Sequence, residues 1–357
     1  MRIEHLSLVD FRCYREADAR FAPERTLLVG PNGSGKTSAL EAIGYLASLE
    51  SFRGAPADTL VRRGAHDAVL RGSFDREGRD VTVDVRLGER RRVQLDGNRV
   101  DRARQVRERC AATVFTPDDL AMIKGGPDTR RRFLDALVVA ARPSADRVTT
   151  ELDRVLRQRN SLLRQAHGRI DADAARTLDV WDERLAAAGD ALGAHRVELV
   201  EELEPAASSI YGRLAGHSPE VGVAYRPPWI EGGLASALVD ARDEDVRRGT
   251  TTTGPHRDEL AVTLDGMPAR SQASQGEQRC LALALRLAAH EAVGRSIGTT
   301  PILLLDDVFS ELDDARAAAL VEVLPPGQVV VTSAHSPPEG WEPECVLRAD
   351  GATLAVG

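Results

Sequence analysis

Lysine is nearly missing from this sequence: among 47 basic residues only Lys36 and Lys124 are lysines, and the rest are arginines. A genome that favours arginine codons accounts for the bias, so the informative point is where the two lysines stand. Cysteine is sparse as well. Cys13, Cys110, Cys280 and Cys345 lie far apart and form no C-x-x-C pair, which argues against a disulfide framework or structural zinc and for reduced thiols in the cytosol. No apolar run approaches the ~20 residues that span a bilayer, and the N-terminus lacks a signal-peptide pattern. A cytoplasmic protein without a membrane partner is expected. Positive charge is not in excess either. The net charge is −8, so nucleic-acid binding would need a local basic patch on an acidic body. What remains is an ordinary globular composition, 42% hydrophobic and 29% charged over 357 residues, enough for about two domains and a substantial core.

One of the two lysines sits in Gly30-Pro31-Asn32-Gly33-Ser34-Gly35-Lys36-Thr37, followed by Ser38. The stretch satisfies the phosphate-loop pattern G-x-x-x-x-G-K-S/T at every fixed position. Glycines let the backbone curl so that successive N–H groups face an anion. Lys36 supplies a compact charge for the β- and γ-phosphates, and the Thr37 hydroxyl is a ligand for Mg²⁺. Thr26 to Val29 reads as a buried strand, and Thr37 to Ala47 as a helix whose N-terminus faces the phosphate. ATP and Mg²⁺ are the expected ligands.

Around this loop the chain divides by pattern. Arg2 to Val9 reads as a first strand, with a second short one near Phe21. Between them lies Arg12, on spacing either a solvated turn cation or a phosphate contact. Val81 to Leu87 alternates as a half-buried antiparallel strand, and Asp96-Gly97-Asn98 signals a hairpin turn. Arg90, Arg91 and Arg92 flank that hairpin, and Arg102, Arg104, Arg107 and Arg109 follow; such a run is a solvated face or a surface for a DNA backbone. From about Pro127 the apolar spacing turns helical, through Thr129 to Val139, Ala145 to Ala166 and Ala172 to Val200, with Trp181 as a packing anchor. Arg130, Arg131 and Arg132 open this region as a second candidate DNA contact. Thr250 to Asp258 returns to β structure, and His256 within it reads as a turn histidine, since no nucleophile or metal-ligand spacing accompanies it. The expected organisation is 1–126 as an ATPase lobe with a β-rich arm, 127–249 as a helical insertion and 250–357 as the rest of the ATPase head.

Two later stretches complete the chemistry. Pro301 to Leu305 is a continuous apolar run, a strand buried on both faces of a mainly parallel sheet, ending in Asp306 and Asp307. Carboxylates at a strand's carboxyl end lie where ligands bind in open α/β sheets. With a phosphate loop in the same chain, Asp306 suits Mg²⁺ and Asp307 the attacking water. Ser274-Gln275-Gly276-Glu277 precedes a strongly amphipathic helix, Gln278 to Val293. The stretch reads as a capping box, with Ser274 and Glu277 bonding reciprocally, or as a second helix N-terminus that meets a phosphate, and the residues alone leave both readings open.

The order of Gly30…Thr37, Ser274-Gln275-Gly276-Glu277-Gln278-Arg279 and Leu303-Leu304-Leu305-Asp306-Asp307-Val308-Phe309-Ser310-Glu311-Leu312-Asp313 resembles ABC-type ATPase heads. Within these it is similar to the bacterial RecF recombination-repair family, related to Rad50 and SMC heads. Asp10-Phe11-Arg12, Ser51-Phe52-Arg53, Phe115 to Leu120, Arg159-Asn160-Ser161 and Gly254 to Asp258 extend the likeness over nearly the whole chain. The resemblance implies an α/β head with an antiparallel β subdomain in lobe I and a helical insertion as lobe II. It implies Arg12 as a phosphate contact, Asp306 on Mg²⁺, and Lys36, Asp307 and Ser274 as the catalytic set. Ser274, Gln275, Gly276 and Asp313 would face ATP held by a second protomer, so that ATP joins a homodimer and slow hydrolysis releases it. Implied partners are duplex DNA and single-strand/duplex junctions, and RecR and RecO in loading RecA onto SSB-coated strands, with a role in repair, replication and the SOS response. Glu277 departs from the glutamine usual in the family. Ser333 stands in place of the family's switch histidine, with His335 nearest, and the lobe-linking glutamine is to be sought between Phe115 and Asp119. A small-molecule kinase or a transporter subunit would share the phosphate loop but not the Ser274 helix, the Ser310 to Asp313 loop or the β-rich arm.

Overall fold

A computed structural model describes residues 1–217, 219–334, 340–351 and 353–356. Two compact units emerge, Met1–Asp119 with Ile210–Ser218 and Arg279–Gly357, and Leu120–Ser209 with Pro219–Gln278.

The first unit begins with strands β1 (Arg2–Phe11), β2 (Tyr14–Arg20) and β3 (Arg25–Val29), then helix α1 (Lys36–Ser48). Strands β4 (Ala68–Asp75), β5 (Asp80–Leu87), β6 (Arg92–Leu95) and β7 (Asn98–Val100) follow, then α2 (Ala103–Arg107) and β8 (Ala112–Phe115). The second unit holds α3 (Ala121–Lys124), α4 (Pro127–Ala141), α5 (Asp146–Gln165) and most of α6 (Ala172–Ala215). It continues through β9 (Val221–Tyr225), α7 (Leu234–Asp240), α8 (Arg242–Arg248), β10 (Leu260–Leu264), β11 (Met267–Pro268) and α9 (Ala269–Gln272). Helix α10 (Gln275–Ile297) leads back to the first unit, which closes with β12 (Ile302–Leu305), α11 (Asp314–Val323), β13 (Val329–Ser333), β14 (Cys345–Ala349) and β15 (Leu354–Val356).

Two six-stranded sheets build the first unit. One is antiparallel, in the order β2-β1-β4-β5-β6-β7; the other runs β15-β14-β3-β13-β12-β8 and is parallel except for β15. The expected hairpin joins β6 to β7, with Asp96 (φ 51°) and Gly97 (φ 75°) both left-handed, as a type I′ turn requires. Helix α1 packs against strands of both sheets, and Leu40, Ile43 and Leu46 join Leu8, Leu70, Leu28 and Leu304 in one core. At roughly 1.5–3 kcal/mol per buried large aliphatic side chain, this core sets where the phosphate loop sits.

The second unit owes its order to buried charge. Arg159 of α5, with its side chain wholly inaccessible, donates to Asp182 of α6 (2.6 Å), Asp245 of α8 (2.6 Å) and Thr251 (2.9 Å). Arg196 of α6 donates to Asp135 of α4 (2.7 Å) and to the Pro255 carbonyl (2.9 Å). Segment 250–258, expected as β structure, is irregular: Asn160 and Asp245 accept the Thr251 and Thr252 amides, and Arg196 takes the Pro255 carbonyl. The strand begins only at Leu260 and pairs with β9, so residues 250–278 join the second unit.

Three further expectations change. Helix α10 is not amphipathic over its middle: from Cys280 to His290 only Arg286 escapes burial, so it is a core helix. Helix α6 runs on past Val200 to Ala215, with Pro205 inside it. Trp181 is only half-buried, and the Arg154 and Arg184 guanidinium groups lie over its ring at 6.0 and 5.8 Å. No helix among the described residues is long and apolar enough to cross a membrane.

Candidate nucleotide site

The parallel sheet brings the ends of β3 and β12 to one edge, with β13 between them. The loop after β3 curls through Gly33 (φ 81°) and Gly35 (φ 101°), left-handed positions that favour glycine. Close packing fixes it from two sides. A Cβ on Gly30 would stand 2.3 Å from the Ala349 carbonyl oxygen, and one on Gly35 would stand 2.6 Å from Cys13 Sγ and 2.8 Å from the Tyr14 hydroxyl. Tyr14 donates to the Gly35 carbonyl (3.0 Å), and the Gly351 amide donates to that of Ser34 (2.9 Å). Pro31, Asn32 and Gly33 are exposed at the tip.

Lys36 is buried at the start of α1, and its ammonium donates to the loop's own Gly30 (2.7 Å) and Pro31 (3.0 Å) carbonyls. Burial lowers its pKa, and the charges of Asp307 and Asp306 oppose that shift. Thr37 Oγ1 donates to the Asp306 carboxylate at 2.9 Å. Ser38 and Cys13 share a side-chain hydrogen bond. Asp306 is buried, and burial raises its pKa, with Thr332 and Thr37 donating against that rise.

Thr332, at the end of β13, donates to Asp306 Oδ1 (2.7 Å) and accepts the Asp307 amide (2.9 Å). Asp307 holds a left-handed φ of 49°, and its Oδ1 is buried without a hydrogen-bond partner. Ser34 Oγ is likewise buried and unpartnered. Unmatched acceptors and donors of this kind are rare in an interior, and they call for a polar ligand. A buried lysine, a hydroxyl on a carboxylate and an unspent carboxylate oxygen on one sheet edge suit a magnesium nucleoside triphosphate.

Arg12 stands apart from this set. Its guanidinium forms a two-pronged bond with the wholly buried Glu41 of α1 (2.8 and 2.7 Å) and a third bond to the Thr59 carbonyl (3.2 Å), while the residue keeps a left-handed φ of 54°. About a fifth of its side chain remains accessible. Asp313 is an exposed N-cap on α11, accepting the Arg316 amide at 2.9 Å. In the second unit, Ser274 and Gln275 are exposed where α10 begins. The capping box forms there: the Ser274 amide donates to Glu277 (2.6 Å) and the Glu277 amide to Ser274 Oγ (3.4 Å). His335 lies outside the described residues. Ser333 is buried at the end of β13.

The family model described as the RecF/RecN/SMC N-terminal domain matches residues 2–337. The DNA replication and repair protein RecF of Frankia alni is 44% identical over 355 residues, covering 94% of this chain and 93% of that protein. The chain belongs to the RecF family. The RecF of Streptomyces avermitilis is 42% identical over 351 residues, 94% of each chain. A solved structure described as the recombination mediator protein RecF with ATP in the RecFOR pathway is similar at a TM-score of 0.90 and 25% identity, covering 99% of this chain and 97% of that one. The Smc head domain of Pyrococcus furiosus, at a TM-score of 0.57 and 17% identity with 99% and 95% covered, is alike in fold alone. The expected ABC-type ATPase-head fold is therefore the fold this RecF-family chain has.

Three residues of this RecF-family site escaped the sequence reading. Thr332 ends an apolar run as Asp306 does, and only the parallel register Leu305↔Val331 sets the two side by side. Glu41 is a carboxylate inside a helix that is otherwise apolar toward the core, a usable sign of a buried cation partner. Tyr14 gave no signal. Among the arginines expected to meet DNA, Arg130 is removed: it is buried, bonds Glu259 twice (2.7 and 3.0 Å) and donates to the Gly125 carbonyl (3.0 Å). Arg131 is spent on Asp128 and the Asp258 carbonyl, and of the three only Arg132 is exposed.

Proposed function

We propose that this chain is an ATP-switched DNA-binding protein of recombinational repair, a cytoplasmic weak ATPase whose ATP-bound form is a homodimer on duplex DNA or single-strand/duplex junctions. The observation that carries the reading is the division of the chemistry. Lys36, Thr37, Asp306 and Asp307 converge on one sheet edge, while Ser274 and Gln275 present an exposed helix start in the other unit. A helix N-terminus with free donors is an anion site, and an exposed one suits ATP held by a second copy.

In this reading Gly30 to Ser38 wrap the phosphates and Lys36 leaves its loop carbonyls for the β- and γ-oxygens. Thr37 and Asp306 would hold Mg²⁺, which supplies neutralisation of phosphate charge. Asp307 orients the water that attacks the γ-phosphorus, with its carboxylate held in place through the Thr332 hydroxyl on its amide. Ser274, Gln275 and Gly276 of the second copy, with Asp313 at the contact, complete the site, which makes turnover slow and dependent on association. Arg12 reaches phosphate only by sharing Glu41. The similarity to proteins of the RecFOR pathway supports RecR and RecO as partners, acting with RecA and SSB.

The test compares wild type with Lys36→Met by analytical ultracentrifugation and duplex-DNA affinity, with and without ATP. Wild type should dimerise and bind duplex only with ATP, and the variant should do neither. Duplex binding that ignores ATP in both proteins would sink the reading.

A further inference from the structure

Residues 89–109 carry eight arginines against four carboxylates, a local +4 in a chain of net −8. They form the β6–β7 end of the antiparallel sheet and helix α2. Several of these arginines are committed to the fold. Arg91 donates to the Leu49 carbonyl (3.0 Å) and Arg107 to that of Ser48 (3.1 Å), which caps the C-terminal end of α1. Arg109 pairs with Asp96 and Arg104 with Glu108.

Register sorts the remainder. Arg92 stands opposite Arg86, and Arg99 opposite Gln94, so Arg86, Arg92 and Arg99 share one exposed face of the sheet. Like charges directly opposite each other destabilise a sheet, and an anion between them reverses the sign. Asp67 holds Arg86 from one side (2.6 Å), while Arg92 has no partner among the described residues. Arg99 has only Asp101, in a pair with 78% of both side chains accessible, worth little against solvent. Arg92 and Arg99 are diagonal neighbours across the pair, at a spacing of about 7–8 Å or less. On the opposite face of the same strands Val93 and Val100 pair and pack toward the core with Leu49, so the two arginines stand over a backed, ordered sheet.

We propose that this exposed sheet face is a phosphodiester site in which Arg92 and Arg99 take neighbouring backbone phosphates of duplex DNA. The inference rests on the DNA-binding reading above and gives it a location. Residues 80–109, which supply this face, include no aromatic side chain on which a base could stack, and stacking platforms are what single-strand sites require. Contacts made only to phosphate read no sequence, so binding here is indifferent to base order.

Fluorescence anisotropy of a labelled duplex, titrated with full-length protein and a non-hydrolysable ATP analogue over a salt series, tests this. The pair Arg92→Glu with Arg99→Glu should raise Kd by at least about tenfold. It should also flatten the slope of log K against log salt by about 1.8, at ~0.9 for each phosphate no longer neutralised. Arg92→Gln with Arg99→Gln should flatten the slope equally with a smaller rise in Kd, so the outcome holds even if the glutamate pair fails to fold. An unchanged slope in the glutamine pair, or tighter binding of a single strand than of the duplex, overturns the site while leaving the DNA reading standing. Wild-type protein that binds no duplex overturns both.

Discussion

The Thr332 hydroxyl sits between two acidic residues, donating to the Asp306 carboxylate at 2.7 Å while accepting the Asp307 amide at 2.9 Å. Both members of the acidic pair therefore depend on one side chain of a neighbouring strand. Thr332→Val keeps the shape and removes both bonds. The unsatisfied Asp307 amide costs roughly 1–3 kcal/mol, so Tm should drop by several degrees, and ATP turnover should fall about tenfold or more with Asp307 no longer fixed. Thr332→Ser should retain both. Steady-state turnover and calorimetry on the two variants check this, and equal turnover in the valine variant would remove Thr332 from the site.

Asp306 carries a cost of its own in the nucleotide-free protein. Burial lifts its pKa above the ordinary value of 3.8. A carboxyl whose folded pKa exceeds its unfolded pKa holds its proton more tightly when folded. Its contribution is favourable at low pH, and it is lost as pH rises through the folded value. Asp306→Asn should therefore raise Tm without nucleotide at about pH 8, and the gain should shrink toward about pH 4, while ATP turnover is abolished. A gain that grows on acidification would show the sign to be wrong.

His290 behaves in the opposite sense. It lies in α10 with both ring nitrogens unpartnered, and burial pushes its pKa down from 6.5 to about 4. His256, whose ring donates to the Thr251 carbonyl, is pushed to about 4 by the same cause. A depressed folded pKa gives stability that is present above 6.5 and lost as pH falls toward 4. Wild-type Tm should decline across that window. His290→Leu, which buries no polar atom, should flatten the decline and raise Tm by the equivalent of roughly 1 kcal/mol at neutral pH. Melting curves from about pH 8 to about pH 4.5 decide it.

Arg130 separates fold from DNA contact. Its buried two-pronged bond to the half-exposed Glu259 predicts that Arg130→Ala costs roughly 1–3 kcal/mol of stability. The salt slope of duplex binding, measured below the variant's Tm, should match wild type. A slope flattened by about 0.9, the equivalent of one phosphate, would return Arg130 to the DNA surface.

What could be read without coordinates was chemistry with a local signature. The phosphate loop is eight consecutive residues, the Ser274–Glu277 capping box is four, and Asp306 ends a run whose apolarity already says it is buried on both faces. What could not be read depends on partners distant in sequence. Thr332 reaches Asp306 through strand register, Arg12 is held by Glu41 29 positions away, and Arg130 is buried by Glu259 129 positions away. An arginine in a charged run looks the same whether it faces water or a carboxylate. The burial of α10 was hidden for a related reason: alanines and leucines on every face blur a helical stripe, and the helix is enclosed on more than one side.

The order of strands in the parallel sheet bears on how the protein is made. Strand β3, which delivers the phosphate loop, is flanked by β13 and β14, whose residues 329–349 are synthesised some 300 positions later. Even the carbonyl that crowds Gly30 belongs to Ala349. On the ribosome, the loop emerges some 300 residues before the two strands that flank its own. A nascent chain carrying the whole nucleotide motif therefore has no sheet edge to hold it. Pairings of such long range form slowly, so the ordering of the loop waits on strands made much later.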